Sequence, residues 1–435
     1  MQVFRFGHGA TLAVPPPFSS HPEDRSEVDG AALPSPSVDH TQRFGKPDDL
    51  EGIWEVFRLG FGAKDTDREA WTKGLDPSRV LVIEGDRGEV AAASHIRKFD
   101  QWFGGRAVPL AGYSPVAVLP EYRGRGWGRA VTAGQFADLH DRGEVIAGLF
   151  PASVQLYRSI GFELAGSYVH RRVPAAHLAG LRPSRTVTVR RGSVDDVAAV
   201  HRCYDRLARR CDGPIARDEA WWARRLPPDL ADTTLFVVDH PTESGALDGY
   251  AAYRHGPARA PYDYSVVVSE VLAGDPDALR ALWRVVGSSG SQAPDVDIIG
   301  AAEDPVFLVL GAADPTAVRS EIRWMLRLVD AAGAVATRGW NPTARGRVDL
   351  AVTDDHAPWN EGRWQLQVDG GEGRLVPGGD GTVELGIGGL SSWWSGYASA
   401  RTLATTGHLH TANETALATL DGLGSCSAPT LVDFY

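Results

Sequence analysis

At 435 residues the chain is too long for one ordinary hydrophobic core, and usual domain sizes predict roughly two to four domains, with three as the working count. A hydrophobic content of 43% and a charged content of 23% exclude wholesale disorder. The formal net charge of −11 argues against nonspecific binding to nucleic acid or anionic lipid and suits a cationic substrate. Cys203, Cys211 and Cys426 lack CxxC spacing and read as ordinary thiols of a reducing, cytoplasmic compartment. Near the N-terminus no apolar run approaches the roughly 20 residues of a membrane span.

Residues 1–38 are rich in Pro, Ser and Gly, which predicts a flexible leader. Asp48 is then placed to cap a helix whose apolar residues Leu50, Ile53, Trp54, Phe57 and Phe61 recur at helical spacing. Val80–Glu84 and Val90–Ile96 read as a hairpin joined by the turn chemistry of residues 85–88. A strand at Val108–Leu119, a helix at Gly126–Ala137, a strand at Glu144–Phe150 and a short helix at Val154–Ser159 complete the order of a mixed α/β layer fold. That gives a first domain over 39–182.

A similar order returns in residues 183–320. Val187–Val189 reads as a strand, Val194–Leu207 as a helix opened by Ser193, Leu235–Val238 with Gly249–Arg254 as a hairpin, Tyr264–Leu272 as a strand and Pro276–Val286 as a helix. Residues 321–435 then form an α+β domain, with strands at Arg347–Val352, Gly362–Val368, Glu372–Val376 and Thr382–Ile387 and a helix at Asn413–Leu420. Trp393 and Trp394 are candidates to line an apolar cavity in it.

The chemistry concentrates in residues 116–129. An apolar strand, Val116-Ala117-Val118, stops at Pro120, and a glycine-rich turn opens a helix. A pyrophosphate needs convergent N–H donors, and glycines let the backbone approach it without a Cβ in the way. The helix dipole adds positive potential, and Arg123, Arg125 and Arg129 add charge-assisted donors. A lone glycine pair is ordinarily a turn with solvated arginines, but here strand, proline stop and arginine offset agree. The dinucleotide fingerprint GxGxxG fits less well, because Gly124, Gly126 and Gly128 alternate.

Arg123, Gly126 and Gly128 fit RxxGxG, and Ala152-Ser153 leads into Tyr157 and a terminal Gly161-Phe162. Both segments resemble the GNAT superfamily of N-acetyltransferases. Two such units, a third domain and an aromatic chain end at Tyr435 together resemble its Eis (enhanced intracellular survival) family of multi-acetylating aminoglycoside N-acetyltransferases. The resemblance implies two tandem GNAT-like α/β domains followed by a sterol-carrier-protein-like α+β domain. It implies acetyl-coenzyme A as co-substrate, with the pantetheine arm along Val116, Ala117 and Val118. The pyrophosphate would lie on Arg123, Gly124, Arg125, Gly126, Trp127, Gly128 and Arg129, with Ala152 and Ser153 beside the coenzyme. Tyr157 would protonate the leaving thiolate, and the α-carboxylate of Tyr435 would accept a proton from the substrate amine. A tyrosine stands at the chain end where the family commonly has phenylalanine. No metal, nucleic acid or membrane is implied. The partners are a small cationic amine, such as an aminoglycoside or polyamine, and five further copies in a homohexamer. A protein lysine is the second substrate expectation, and an idle module holding an apolar ligand in the third domain is the non-enzymatic one. The second unit has Ala273-Gly274-Asp275-Pro276-Asp277 where the first has its phosphate turn, and two aspartates there would repel pyrophosphate.

Overall fold

The structure, a computed structural model, describes residues 40–258, 260–261, 263–300, 304–310 and 317–435. The expected leader, 1–38, lies outside them. Two compact units divide the chain: one holds residues 40–97, 112–142 and 155–160, the other 98–111, 143–154 and 161–435. No helix among the described residues is long and apolar enough to cross a membrane.

In the first unit β1 (Gln42–Phe44) precedes a 3-10 turn at Pro47–Asp49 and α1 (Leu50–Phe61). The capping expected of Asp48 falls to Asp49. Pro47 starts the turn and puts Asp49 at its third position, where the carboxylate accepts the Lys46 N–H at 2.7 Å. Arg43 grips the same carboxylate at 2.6 and 2.9 Å, ties β1 to α1, and holds Asp49 below the usual carboxylate range. α1 buries Ile53, Trp54, Val56 and Phe57, each worth about 1.5–3 kcal/mol of apolar burial, and stops at Gly62, whose φ of +65° is left-handed. Further on, α2 (Arg68–Thr72) sets Trp71 against Trp54, Phe57 and Phe61.

β2 (Val80–Glu84) and β3 (Val90–Phe103) form the expected antiparallel hairpin, but β3 continues well past Ile96. β4 (Arg106–Val118) follows, and both long strands pass from one unit into the other. Within the first unit the strand order is β1-β2-β3-β4. The single helix expected at 126–137 is two, α3 (Trp127–Ala133) and α4 (Phe136–Asp141). The Gln135 N–H reaches back only three residues, to Thr132, while its buried amide accepts from Ser94 Oγ at 2.8 Å, so the helix breaks where that side chain is drawn to β3. α5 (Val154–Arg158) completes this unit from residue 155 on.

The second unit begins with the other halves of β3 and β4, then β5 (Ile146–Leu149), β6 (Glu163–Pro174) and α6 (Ala175–Ala179). The strand expected at Val187–Val189 is instead β7 (Arg190–Arg191). Val187 and Val189 pack against a buried core, while Arg190 pairs with Asp196 and Asp239 and its backbone meets Val237. A capping box on Ser193 opens the next helix, α7 (Val197–Ala208). Then come β8 (Ile215–Ala216), α8 (Glu219–Arg225), the hairpin β9 (Thr234–Asp239) and β10 (Leu247–His255), β11 (Ser265–Ala273), α9 (Pro276–Val286), β12 (Asp295–Gly300), α10 (Val306–Val309) and β13 (Ala317–Leu328). The strand order is β5-β13-β6-β12-β11-β10-β9-β7, with β8 paired to β3. Thus β6 lies between β13 and β12, antiparallel to both. The boundary expected at 320/321 falls inside β13.

The rest of this unit carries α11 (Ala331–Thr337), β14 (Gly346–Thr353), β15 (Gly362–Asp369), β16 (Glu372–Pro377), β17 (Val383–Gly386), α12 (Ile387–Ser395), α13 (Ala400–Thr405), β18 (Leu409–His410) and α14 (Glu414–Leu423). The strands form one sheet in the order β16-β15-β14-β17-β18. Trp393 and Trp394, on α12, are fully buried. Trp393 donates its indole N–H to Leu420 O at 3.1 Å, and the Trp394 ring lies 4.6 Å from Phe103. Both belong to one hydrophobic core with the strands of this sheet.

Candidate active site

β4 ends at Val118, and the N–H of Leu119 bonds to Ala91 O at 2.9 Å, so the strand end is anchored to β3. Pro120 opens one 3-10 turn, Pro120–Tyr122, after which Arg123 is extended and Gly124 and Gly126 take φ of +80° and +77°. Only glycine adopts two such left-handed conformations in three residues without strain. Gly126 is the N-cap of α3 and supplies no side chain to cap it, so the first helical N–H groups keep their donor capacity. Residues 123–126 are all exposed, and a Cβ on Gly124 would meet nothing within 4 Å. Together these features leave backbone N–H donors and two guanidiniums at one exposed turn, a chemistry that suits an anion.

The turn stands on an aromatic base. Tyr122 stacks on Trp127 with centroids 4.9 Å apart, and its hydroxyl donates to Glu89 at 2.8 Å and accepts from the Asp86 N–H at 3.1 Å. Arg125 lies over the Tyr122 ring at 4.8 Å, and Arg123 donates from Nε to Val118 O at 3.3 Å. Both guanidiniums stay exposed while their stems are fixed. The stack and its tie to the β2–β3 hairpin were not read from sequence, because Asp86 and Glu89 come from another element.

α5 meets this turn. A Cβ on Gly128 would sit 3.4 Å from Leu156 Cδ1, so α3 and α5 touch at the residue before Tyr157. Tyr157 is buried, and burial pushes its phenol up to about 12, so the proton stays on it throughout the neutral range. Val116, Val118 and the turn with Tyr157 are therefore gathered in one unit. Ala152 and Ser153, exposed just ahead of α5, belong to the other. His95 is buried, its Nδ1 3.1 Å from Ser114 O, and burial followed by the neighbouring Arg97 charge lowers it to about 4. It is a neutral strand histidine at pH 7 and a weak base.

Tyr435 lies in the second unit, its ring 5.1 Å from Phe99 and 5.6 Å from Phe150. Phe434 stacks on Phe150 at 4.3 Å. The Tyr435 hydroxyl is buried without a hydrogen-bond partner, and burial raises its pKa. Two residues earlier Asp433 joins Arg217 and Glu270 in a buried ion cluster that nothing local in the sequence announces.

Three family models match: a GNAT acetyltransferase domain over residues 41–165, a second GNAT acetyltransferase domain over 213–328, and a sterol carrier protein domain over 331–432. An uncharacterized N-acetyltransferase of Streptomyces griseus is 30% identical over 347 residues, 74% of this chain and 80% of that one. N-acetyltransferase Eis of Mycobacterium tuberculosis is 28% identical over 348 residues, 75% of this chain and 81% of that one. Among solved structures, a GCN5-related N-acetyltransferase from Kribbella flavida superposes with a TM-score of 0.79 at 30% identity, covering 91% of this chain and 98% of that one. The chain is thus an acetyl-transferring enzyme of the GCN5-related N-acetyltransferase (GNAT) superfamily, with two GNAT domains followed by a sterol carrier protein domain, and is similar over three quarters of its length to Eis.

Proposed function

We propose that the enzyme transfers acetyl from acetyl-coenzyme A to a primary amine of an aminoglycoside or related polyamine. The observation that carries the coenzyme assignment is the exposed, uncapped turn at residues 123–126, whose glycines leave backbone donors free at the start of α3. Val116, Ala117 and Val118, at the end of β4, hold the pantetheine arm by their backbone. Arg123, Arg125 and Arg129 offset the phosphate charge, with Ala152 and Ser153 beside the coenzyme. The amine nitrogen attacks the thioester carbonyl, the carbon–sulfur bond breaks, and Tyr157 gives its proton to the departing sulfur. A substrate ammonium must first lose a proton, and the carboxylate of Tyr435 takes it. Fixing both substrates turns a bimolecular encounter into a positioned one, and no metal is required. The chain's net charge of −11 favours a polycationic acceptor.

Thiol release from acetyl-coenzyme A is measured against aminoglycosides, polyamines and lysine peptides, with wild type, Tyr157→Phe and a chain lacking Tyr435. Turnover with the first two classes is expected, lowered about 100-fold or more in kcat by Tyr157→Phe with coenzyme affinity kept. Deleting Tyr435 lowers the rate most at neutral pH and least where the amine is already deprotonated. Turnover of lysine peptides alone would move the substrate assignment to proteins, and none with any amine despite tight coenzyme binding would end the amine reading. The family resemblance also supports a homohexamer, which sedimentation analysis checks; a monomer would refute it.

A further inference from the structure

We propose that Arg217 is a positioning residue for the acetyl-transfer reaction, fixing the register of the C-terminal segment so that Tyr435 is presented in one place. The inference rests on the proposed role of Tyr435. Arg217 directly follows β8 and uses its whole guanidinium on two carboxylates. Nε and Nη2 donate to Asp433 at 3.0 and 2.9 Å, and Nη1 and Nη2 donate to Glu270 at 2.8 and 2.7 Å. The guanidinium carbon lies 3.8 Å over the Tyr204 ring and 4.8 Å over Trp222, Tyr250 donates its hydroxyl to Glu270, and Arg225 Nε stands 3.7 Å from Asp433. Burial works against charge on Asp433, yet the two guanidiniums outweigh it and hold the carboxyl below its usual range.

A buried ion pair contributes little net stability compared with an apolar filling of the same shape, because desolvation offsets the attraction. What a doubly bidentate guanidinium does supply is geometry, since both carboxylates must lie in its plane at one register. Apolar rings do not have this property: Phe434 on Phe150 and Tyr435 on Phe99 would tolerate a small slide of the tail. The two kinds of anchor share one ladder. Ala216, next to Arg217, pairs with Asp100, next to Phe99. The tail is thus tied through Asp433 to the same β3–β8 ladder against which Tyr435 packs, and upstream the Thr430 N–H bonds to Asp212 O at 2.7 Å.

The test is a cycle in the full-length enzyme: wild type, Asp433→Asn, the chain lacking Tyr435, and both changes together, each assayed by thiol release with a fixed amine and normalised to folded protein. Asp433→Asn is expected to lower kcat about 10- to 100-fold, as a misplaced reacting group does, with KM for acetyl-coenzyme A unchanged. In the chain lacking Tyr435 the same substitution is expected to change kcat less than about twofold, because residues that act as one unit are non-additive. If Asp433→Asn does not fold, Tyr250→Phe, which removes only the hydroxyl on Glu270, is expected to give a smaller loss with the same non-additivity. Equal losses in both backgrounds, or a lower melting temperature with kcat intact, would overturn the positioning role. Full turnover by the chain lacking Tyr435 alone would overturn the base assignment, and this inference with it.

Discussion

The two GNAT domains each carry a strand, a turn and a helix at corresponding places, and the turns treat the helix start in opposite ways. In the first, β4 leads through Gly124 and Gly126 into α3, and no side chain caps the helix. In the second, β11 leads through Gly274 to Asp275, whose Oδ1 accepts the N–H groups of Asp277 at 2.8 Å and Ala278 at 3.0 Å, with Pro276 at the first helical position. Asp277 in turn accepts from the Ser184 N–H and hydroxyl, and Arg185 pairs with Asp275. The N–H groups of Gly274, Asp277 and Ala278 in the second turn are thus taken up by the chain itself. A helix start can be left uncapped or closed by its own chain, and this molecule shows one of each.

The largest effect is expected when the first turn is made to resemble the second. Gly126→Asp places a carboxylate at the start of α3, and acetyl-coenzyme A binding measured by calorimetry is expected to weaken about 100-fold while circular dichroism stays native. Unchanged affinity would mean that the turn does not carry the phosphates. Arg123→Ala removes one charge-assisted donor and is expected to weaken binding about tenfold, less so at high salt. In the second turn, Asp275→Ala removes a helix cap and is expected to cost about 1 kcal/mol of stability in a denaturant titration, with coenzyme affinity unaltered. A lost affinity there would place coenzyme on the wrong helix. The smallest effect expected is none: Tyr157, raised to about 12 by burial, loses its proton only as pH rises through that value. Activity should rise with pH as the amine deprotonates and show no alkaline fall below about pH 10.

The first turn was legible because its determinants are contiguous: Pro120, Arg123, Gly126 and Gly128 act within ten residues. The same holds for α9, whose predicted limits, Pro276–Val286, are those observed, since proline and the Asp275 cap are both local. Elsewhere distant partners decided. The break between α3 and α4 depends on Gln135 reaching Ser94, and β7 sits at Arg190 because Asp196 and Asp239 hold it there. β12 and β13 carry little local signal because each completes a ladder with β6, far back in the chain. The Arg217 cluster was invisible for the same reason, with Asp433 separated from Arg217 by 216 residues.

The place of β6 between β12 and β13 bears on how the chain can be made and cut. Ser167 on β6 meets Glu321 on β13, 154 residues later, so on the ribosome β6 waits for most of the second GNAT domain before its neighbours exist. Until then both of its edges are open to pairing with another nascent chain. A fragment ended near residue 182 would hold the turn at residues 123–126 and Tyr157 and would lack both of β6's partners. The two GNAT domains are thus joined by shared strand pairing as well as by chain continuity.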